Sequence, residues 1–168
     1  VTITSSARGL ISLLRNLPFP PGQTVGIIAV LVLERLRPAS LPGRRAAQRA
    51  AGAVALTAGA ALTVWALAER RRHTNGGFEL ERPQSLVTTG PHAFSRHPMY
   101  VGWWLIHLGA GLLRASAWVT ATLPAAVLAE HGGVLAEERA LEREFGDEYA
   151  RYRERVPRYI GRVSGGGD

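Results

Sequence analysis

The stretch AAGAVALTAGAALTVWALA, residues 50–68, runs for nineteen positions without a charged side chain. A helix rises about 1.5 Å per residue, so this length covers nearly all of the roughly 30 Å hydrocarbon core of a bilayer. An Ala-rich helix of a soluble bundle shows polar residues about once a turn, and this stretch does not. It is therefore read as the middle of a spanning helix over Ala47–Leu67. Trp65 suits an interfacial depth, and Gly52 and Gly59 let a neighbouring helix come close.

Outward from it, residues 16–33, 97–113 and 115–129 are also free of Asp, Glu and Arg. Four such runs in 168 residues indicate an all-α, multi-span integral membrane protein forming one domain over residues 1–168. The N-terminal spanning helices occupy about 10–70. Pro18, Pro20, Pro21 and Gly22 predict a short helix, a broken elbow and then a helix over Val25–Leu36. A long connection, 71–98, contains "SLVTTG", which reads as extended chain. A helical hairpin follows over 98–130, its arms Pro98–Leu113 and Trp118–Ala129. The C-terminal region, 131–162, is helical and soluble in character. Val134, Leu141 and Phe145 keep helical spacing up to Gly146. Beyond it Tyr149, Tyr152 and Val156 form one stripe, with Arg151, Arg153, Arg155 and Arg158 elsewhere, an amphipathic helix suited to lying on a membrane face.

The net charge is +7, and every basic residue apart from histidine is Arg. With the charge-free runs, this selects anionic membrane lipid rather than nucleic acid as the partner. The connection and the C-terminal region fall on one side by parity. They carry the heavier Arg load, which places them in the cytosol. The absence of cysteine excludes disulfides, thiolate metal sites and a Cys nucleophile. No His/Glu spacing forms a zinc signature. His107, inside the third run, is read as hydrogen-bonded to a neighbouring helix. The oligomeric state is not legible.

Chemistry gathers at "SRHPMY", residues 95–100. Pro98 suits a first helical turn and disfavours helix at His97, which becomes the last extended residue, its ring free to face a cavity. The open amides of the helix start favour an anion, and Tyr100 and Trp103 share a face. Glu137 and Glu138 flank the stripe of Val134 and Leu141, so they need a cationic partner: Arg96, a ligand ammonium, or both.

"LVTTGPHAFSRHPMYVGWW" (86–104), the paired Glu137–Glu138 and "FGDEYARYRERVPRYI" (145–160) together resemble the isoprenylcysteine carboxyl methyltransferase family and related phospholipid methyltransferases. The resemblance implies a membrane-embedded enzyme using S-adenosyl-L-methionine. Its cofactor pocket would be capped from the cytosolic side by the C-terminal helices. It implies cofactor contacts from Leu86, Val87, His92, His97, Pro98, Met99, Tyr100 and Glu137, with Arg96 and Glu138 in the catalytic set. At His92 relatives often carry Tyr. Where the prenylcysteine enzymes place an Arg for the substrate carboxylate, this chain reads "HGGV", 131–134. The implied acceptor is therefore a lipophilic molecule or lipid reached from the bilayer, a carboxylate being one option, with His131 the candidate base. Two rival readings share parts of the pattern. One is an NADPH-dependent membrane reductase of the sterol-reductase type, which normally has more spans. The other is a non-catalytic module binding lipid or a partner through its Arg-rich face.

Overall fold

Helix α1 starts at Pro21, four residues before the expected Val25, because Pro at the first helical position gives up only an amide that has no helical partner anyway. A computed structural model of the protein describes residues 20–74 and 85–161, and these are helical with no strand among them. The elements are α1 (Pro21–Leu36), α2 (Arg45–Arg72), a 3₁₀ turn (Gly90–Ala93), α3 (Pro98–Leu113) and α4 (Val119–Arg155). The short helix expected before Pro18 and part of the long connection lie outside the described residues. So does the last residue of the expected C-terminal region.

Helix α2 extends a full turn past the expected end, so that Arg70, Arg71 and Arg72 occupy its last turn, where cations complement the helix dipole. It packs along α3, while α1 lies against α4 and, less extensively, α3. The α2–α3 seam is built on glycine. A Cβ at Gly52 would stand 2.9 Å from the Gly109 carbonyl oxygen, and one at Gly59 would run into the Gly102 carbonyl. Away from the seam, Val54 and Val64 of α2 are 70% and 66% exposed. By length and composition α2 and α4 are each able to cross a membrane, and apolar side chains turned outward suit lipid as their surroundings. Helices α1 and α3, 16 residues each, reach only about 24 Å.

Helix α3 has the expected bounds. Helix α4 does not: the second hairpin arm, expected to end near Ala129, continues as helix across Gly132 and Gly133 as far as a kink at Gly146. Glycine costs about 1 kcal/mol per helical position. Against this, Ala126, Glu130, Val134 and Glu138 form a buried stripe at four-residue spacing that holds the helix to the bundle. The break falls at Gly146, whose φ of 48° is open to glycine at little cost. Beyond it, the stripe expected to face a membrane is buried in the protein. Tyr149, Tyr152 and Val156 pack on Leu86, Leu141 and Phe145, because both tyrosine hydroxyls find partners inside: Tyr152 donates to the His92 carbonyl at 2.7 Å and Tyr149 accepts from Arg96 at 3.1 Å.

One end of the bundle is closed by the loops after α1 and α3. Ser40 bridges Ser116, the Ser116 hydroxyl donates to Glu34 Oε2 at 2.6 Å, and the Trp118 indole donates to the Arg37 carbonyl at 2.8 Å. In the interior, His107 has the expected neighbouring-helix bond: Nδ1 lies 2.8 Å from Gln23 Oε1 and Nε2 lies 3.0 Å from Thr122 Oγ1. Gln23 in turn donates to both Glu130 oxygens, from its amide at 2.9 Å and its side chain at 3.0 Å. Gln23→Leu therefore leaves a buried carboxylate oxygen without its side-chain donor. Thermal unfolding in detergent is expected to show a loss of about 1–3 kcal/mol.

Candidate functional site

The other end gathers the start of α3, the 3₁₀ turn, the end of α2, the middle of α4 and the segment after it. Pro98 fixes the α3 start, and His97 caps it at φ −127°, ψ 58°. This junction is clasped by the chain that returns after the Gly146 kink. The Arg96 amide donates to the Pro157 carbonyl at 2.9 Å, and the His97 amide to the Arg158 carbonyl at 3.1 Å. Ser95 Oγ donates to the same Arg158 carbonyl at 3.2 Å.

Glu138 lies beneath the clasp with 9% of its side chain exposed and is surrounded by cations. Arg96 Nη1 approaches Oε1 at 2.9 Å. Arg158 grips both oxygens, Nε on Oε1 at 2.9 Å and Nη2 on Oε2 at 2.8 Å. His97 Nε2 stands 3.3 Å from Oε1. The two-pronged guanidinium geometry gives direction as well as charge, and the carboxylate holds the Arg158 guanidinium above its ordinary pKa. Glu137 is different. Its side chain is 39% exposed, with Oε2 3.7 Å from His97 Nδ1. Of two adjacent acids, one is consumed by structure and the other is turned toward solvent or ligand.

The expected free ring of His97 is in fact only 4% exposed and held between the two glutamates. Tyr100 meets it edge-on, centroids 5.8 Å apart. His92 is buried, and among the described residues its Nδ1 has no hydrogen-bond partner. Burial, and after it the charges of Arg70 and His97, push its pKa down to about 4, so it is neutral near pH 7. Its turn is pinned to α2 by Thr89, whose hydroxyl donates to Glu69 at 2.6 Å. Val87 and Pro98 are buried, Met99 is half-buried, and Leu86 belongs to the Tyr149–Tyr152 cluster.

The fold thus brings Arg96, His97, Glu137 and Glu138 together, with Tyr100 beside them. His131 joins through a residue the sequence reading gave no role: its Nδ1 lies 3.2 Å from the Tyr159 hydroxyl. Arg158 too was assigned to a solvated face, yet it is the two-pronged partner of Glu138. The signal for both was their place just after Pro157, which ends the helical pattern. Glu69 also went unnoticed, as a charge at the edge of an apolar run. Among the described residues no group of His, Asp and Glu could hold a metal ion. The arrangement supplies a part-exposed carboxylate, an aromatic surface and a neutral imidazole, a set suited to an organic cation with polar appendages.

Residues 47–148, more than half of the chain, match the phospholipid methyltransferase family. The chain is 40% identical over 81 residues to the cobalt-zinc-cadmium resistance protein CzcN of Cupriavidus metallidurans, covering 48% of this chain and 37% of that protein. It is 39% identical over 74 residues to protein-S-isoprenylcysteine O-methyltransferase of Schizosaccharomyces pombe, covering 43% of this chain and 31% of that protein. These matches span about a third of each relative's length. In three dimensions the chain superposes on the eukaryotic intramembrane Ras methyltransferase ICMT with a TM-score of 0.62 at 22% identity, over 86% of this chain and 52% of that one. Helices α2 and α4 are each long and apolar enough to cross a membrane, and the chain shares its fold with that intramembrane enzyme.

Proposed function

From the premise that the chain belongs to the phospholipid methyltransferase family, we propose that it transfers a methyl group from S-adenosylmethionine to a lipophilic acceptor reached from the bilayer. The observation that carries this reading is the division of labour between the two acids: Glu138 is neutralised by Arg96 and Arg158, while Glu137 keeps a half-exposed carboxylate beside aromatic rings.

The residues present fit the cofactor. Glu137 is placed to hold an ammonium, and the amides of the first α3 turn to hold a carboxylate. His97, Pro98, Met99 and Tyr100 form a wall, with Leu86 and Val87 supporting it from the connection. His92 Nδ1, buried and without a hydrogen-bond partner among the described residues, would meet a ligand only if the turn that carries it shifts. When bound, the cofactor supplies an electrophilic methyl group on a sulfonium. The chain's own task is alignment and exclusion of water, which together account for much of the acceleration of an in-line displacement. Arg96 and Glu138 act here as positioning residues, since their buried pair fixes the junction that carries His97. His131 is the candidate base for an acceptor that must lose a proton, its ring oriented through Nδ1. The site end faces the cytosol in this reading, because Arg70, Arg71 and Arg72 and the Arg-rich end of α4 lie there.

Glu137→Gln is expected to weaken S-adenosylmethionine binding roughly 10-fold or more, since a hydrogen bond to a charged group is worth about 1.5–3 kcal/mol. The fold should be undisturbed because the side chain is 39% exposed. Calorimetric titration of the purified protein in detergent measures it, and an unchanged affinity would refute the assignment.

A further inference from the structure

We infer that Tyr159, carried on the strap that follows α4, is a recognition surface for the positive charge of the methyl donor. The inference rests on the proposed function and adds to it a residue outside the family match at 47–148.

The strap is built to place this one ring. Pro157 and Arg158 are bonded through their carbonyls to the amides of Arg96 and His97, and the Arg158 side chain is locked on Glu138 by two hydrogen bonds. Tyr159 comes next, with no freedom of its own at the backbone position before it. Its ring lies beside three others: Trp104 at 4.6 Å between centroids, His97 at 6.1 Å and His131 at 6.3 Å. With these neighbours Tyr159 is half-buried, so the residue is not wholly covered.

Burial raises the Tyr159 hydroxyl pKa; Arg158 opposes the rise, and Glu138, Glu130 and Glu137 add to it. The phenol is therefore neutral, and since Glu138 is already matched by Arg96 and Arg158, the ring face with Glu137 and Glu130 in the surroundings is what is left to meet a cation. Such a surface attracts a sulfonium or an ammonium and discriminates against neutral isosteres. S-adenosylmethionine and S-adenosylhomocysteine differ in this respect: one is a sulfonium, the other a neutral thioether of nearly the same shape.

The test is the ratio of the two affinities, measured by calorimetric titration of the whole chain in detergent. Tyr159→Phe keeps the ring and should keep the ratio. Tyr159→Leu and the more adaptable Tyr159→Met remove it, and each should lower affinity for S-adenosylmethionine about 2- to 5-fold more than for S-adenosylhomocysteine. A ring that only props the strap would weaken both ligands equally, and an unchanged ratio in whichever non-aromatic variant folds would overturn the inference alone. An unmodified chain that binds neither molecule would overturn the proposed function and this inference with it.

Discussion

Glu138→Ala is expected to cost about 3–5 kcal/mol of stability, while Glu137→Ala, one residue earlier, costs less than about 0.5 kcal/mol. Removing Glu138 leaves Arg96, whose side chain is 8% exposed, with no counter-charge at 2.9 Å and releases the Arg158 grip at 2.8 Å. The penalty is that of a stranded buried cation rather than of a lost contact. A double change, Glu138→Leu with Arg96→Met, should therefore recover part of the loss, since apolar replacement of both partners is often close to neutral. Unfolding in detergent followed by circular dichroism measures all of these. Equal losses for the two single glutamate variants would show that Glu138 does not anchor the junction.

Gly59→Val should prevent α2 and α3 from closing. The new side chain would enter the Gly102 carbonyl and stand 2.8 Å from the Ile106 amide nitrogen, and both are backbone atoms that no rotamer change can move. Overpacking a core commonly costs about 1–3 kcal/mol, and separating two backbones lies at or beyond the upper end because the whole seam must part. Gly133→Val, where a Cβ meets nothing within 4 Å, is the control and should fold normally. Yield of monodisperse protein and its melting temperature read the contrast. A stable Gly59→Val protein would mean that the seam is not the close contact described.

The sequence made the long apolar helices legible because the absence of charge over long runs is a direct statement about burial or solvent. It located the α3 start because Pro98 restricts both itself and His97. It misplaced the start of α1 because a proline cluster reads as a break, although one proline can equally be the first residue of a helix. The continuation of α4 past Ala129 was hidden by Gly132 and Gly133: their low propensity is local, whereas the stripe from Ala126 to Glu138 that overrides it acts through packing. In the site, a cationic partner for the paired acids was expected, and Arg96 was named. Arg158 and Tyr159 were not, because the turn at Gly146 that brings them back is a tertiary matter. Spacing along the chain shows which residues share a helix face, but not which face a kinked chain returns to.

The bonds from residues 95–97 to 157–158 join positions 61 to 63 apart, and between them the chain makes the whole of α3 and α4. Closing a loop of that length costs on the order of 4 kcal/mol in chain entropy, and the clasp meets that cost only once both helices are seated. The two halves of the site thus have no reason to associate before the bundle stands, and assembly order follows from topology: scaffold first, grip last. On partial unfolding the order reverses, so that the clasp opens while the helices are still in place.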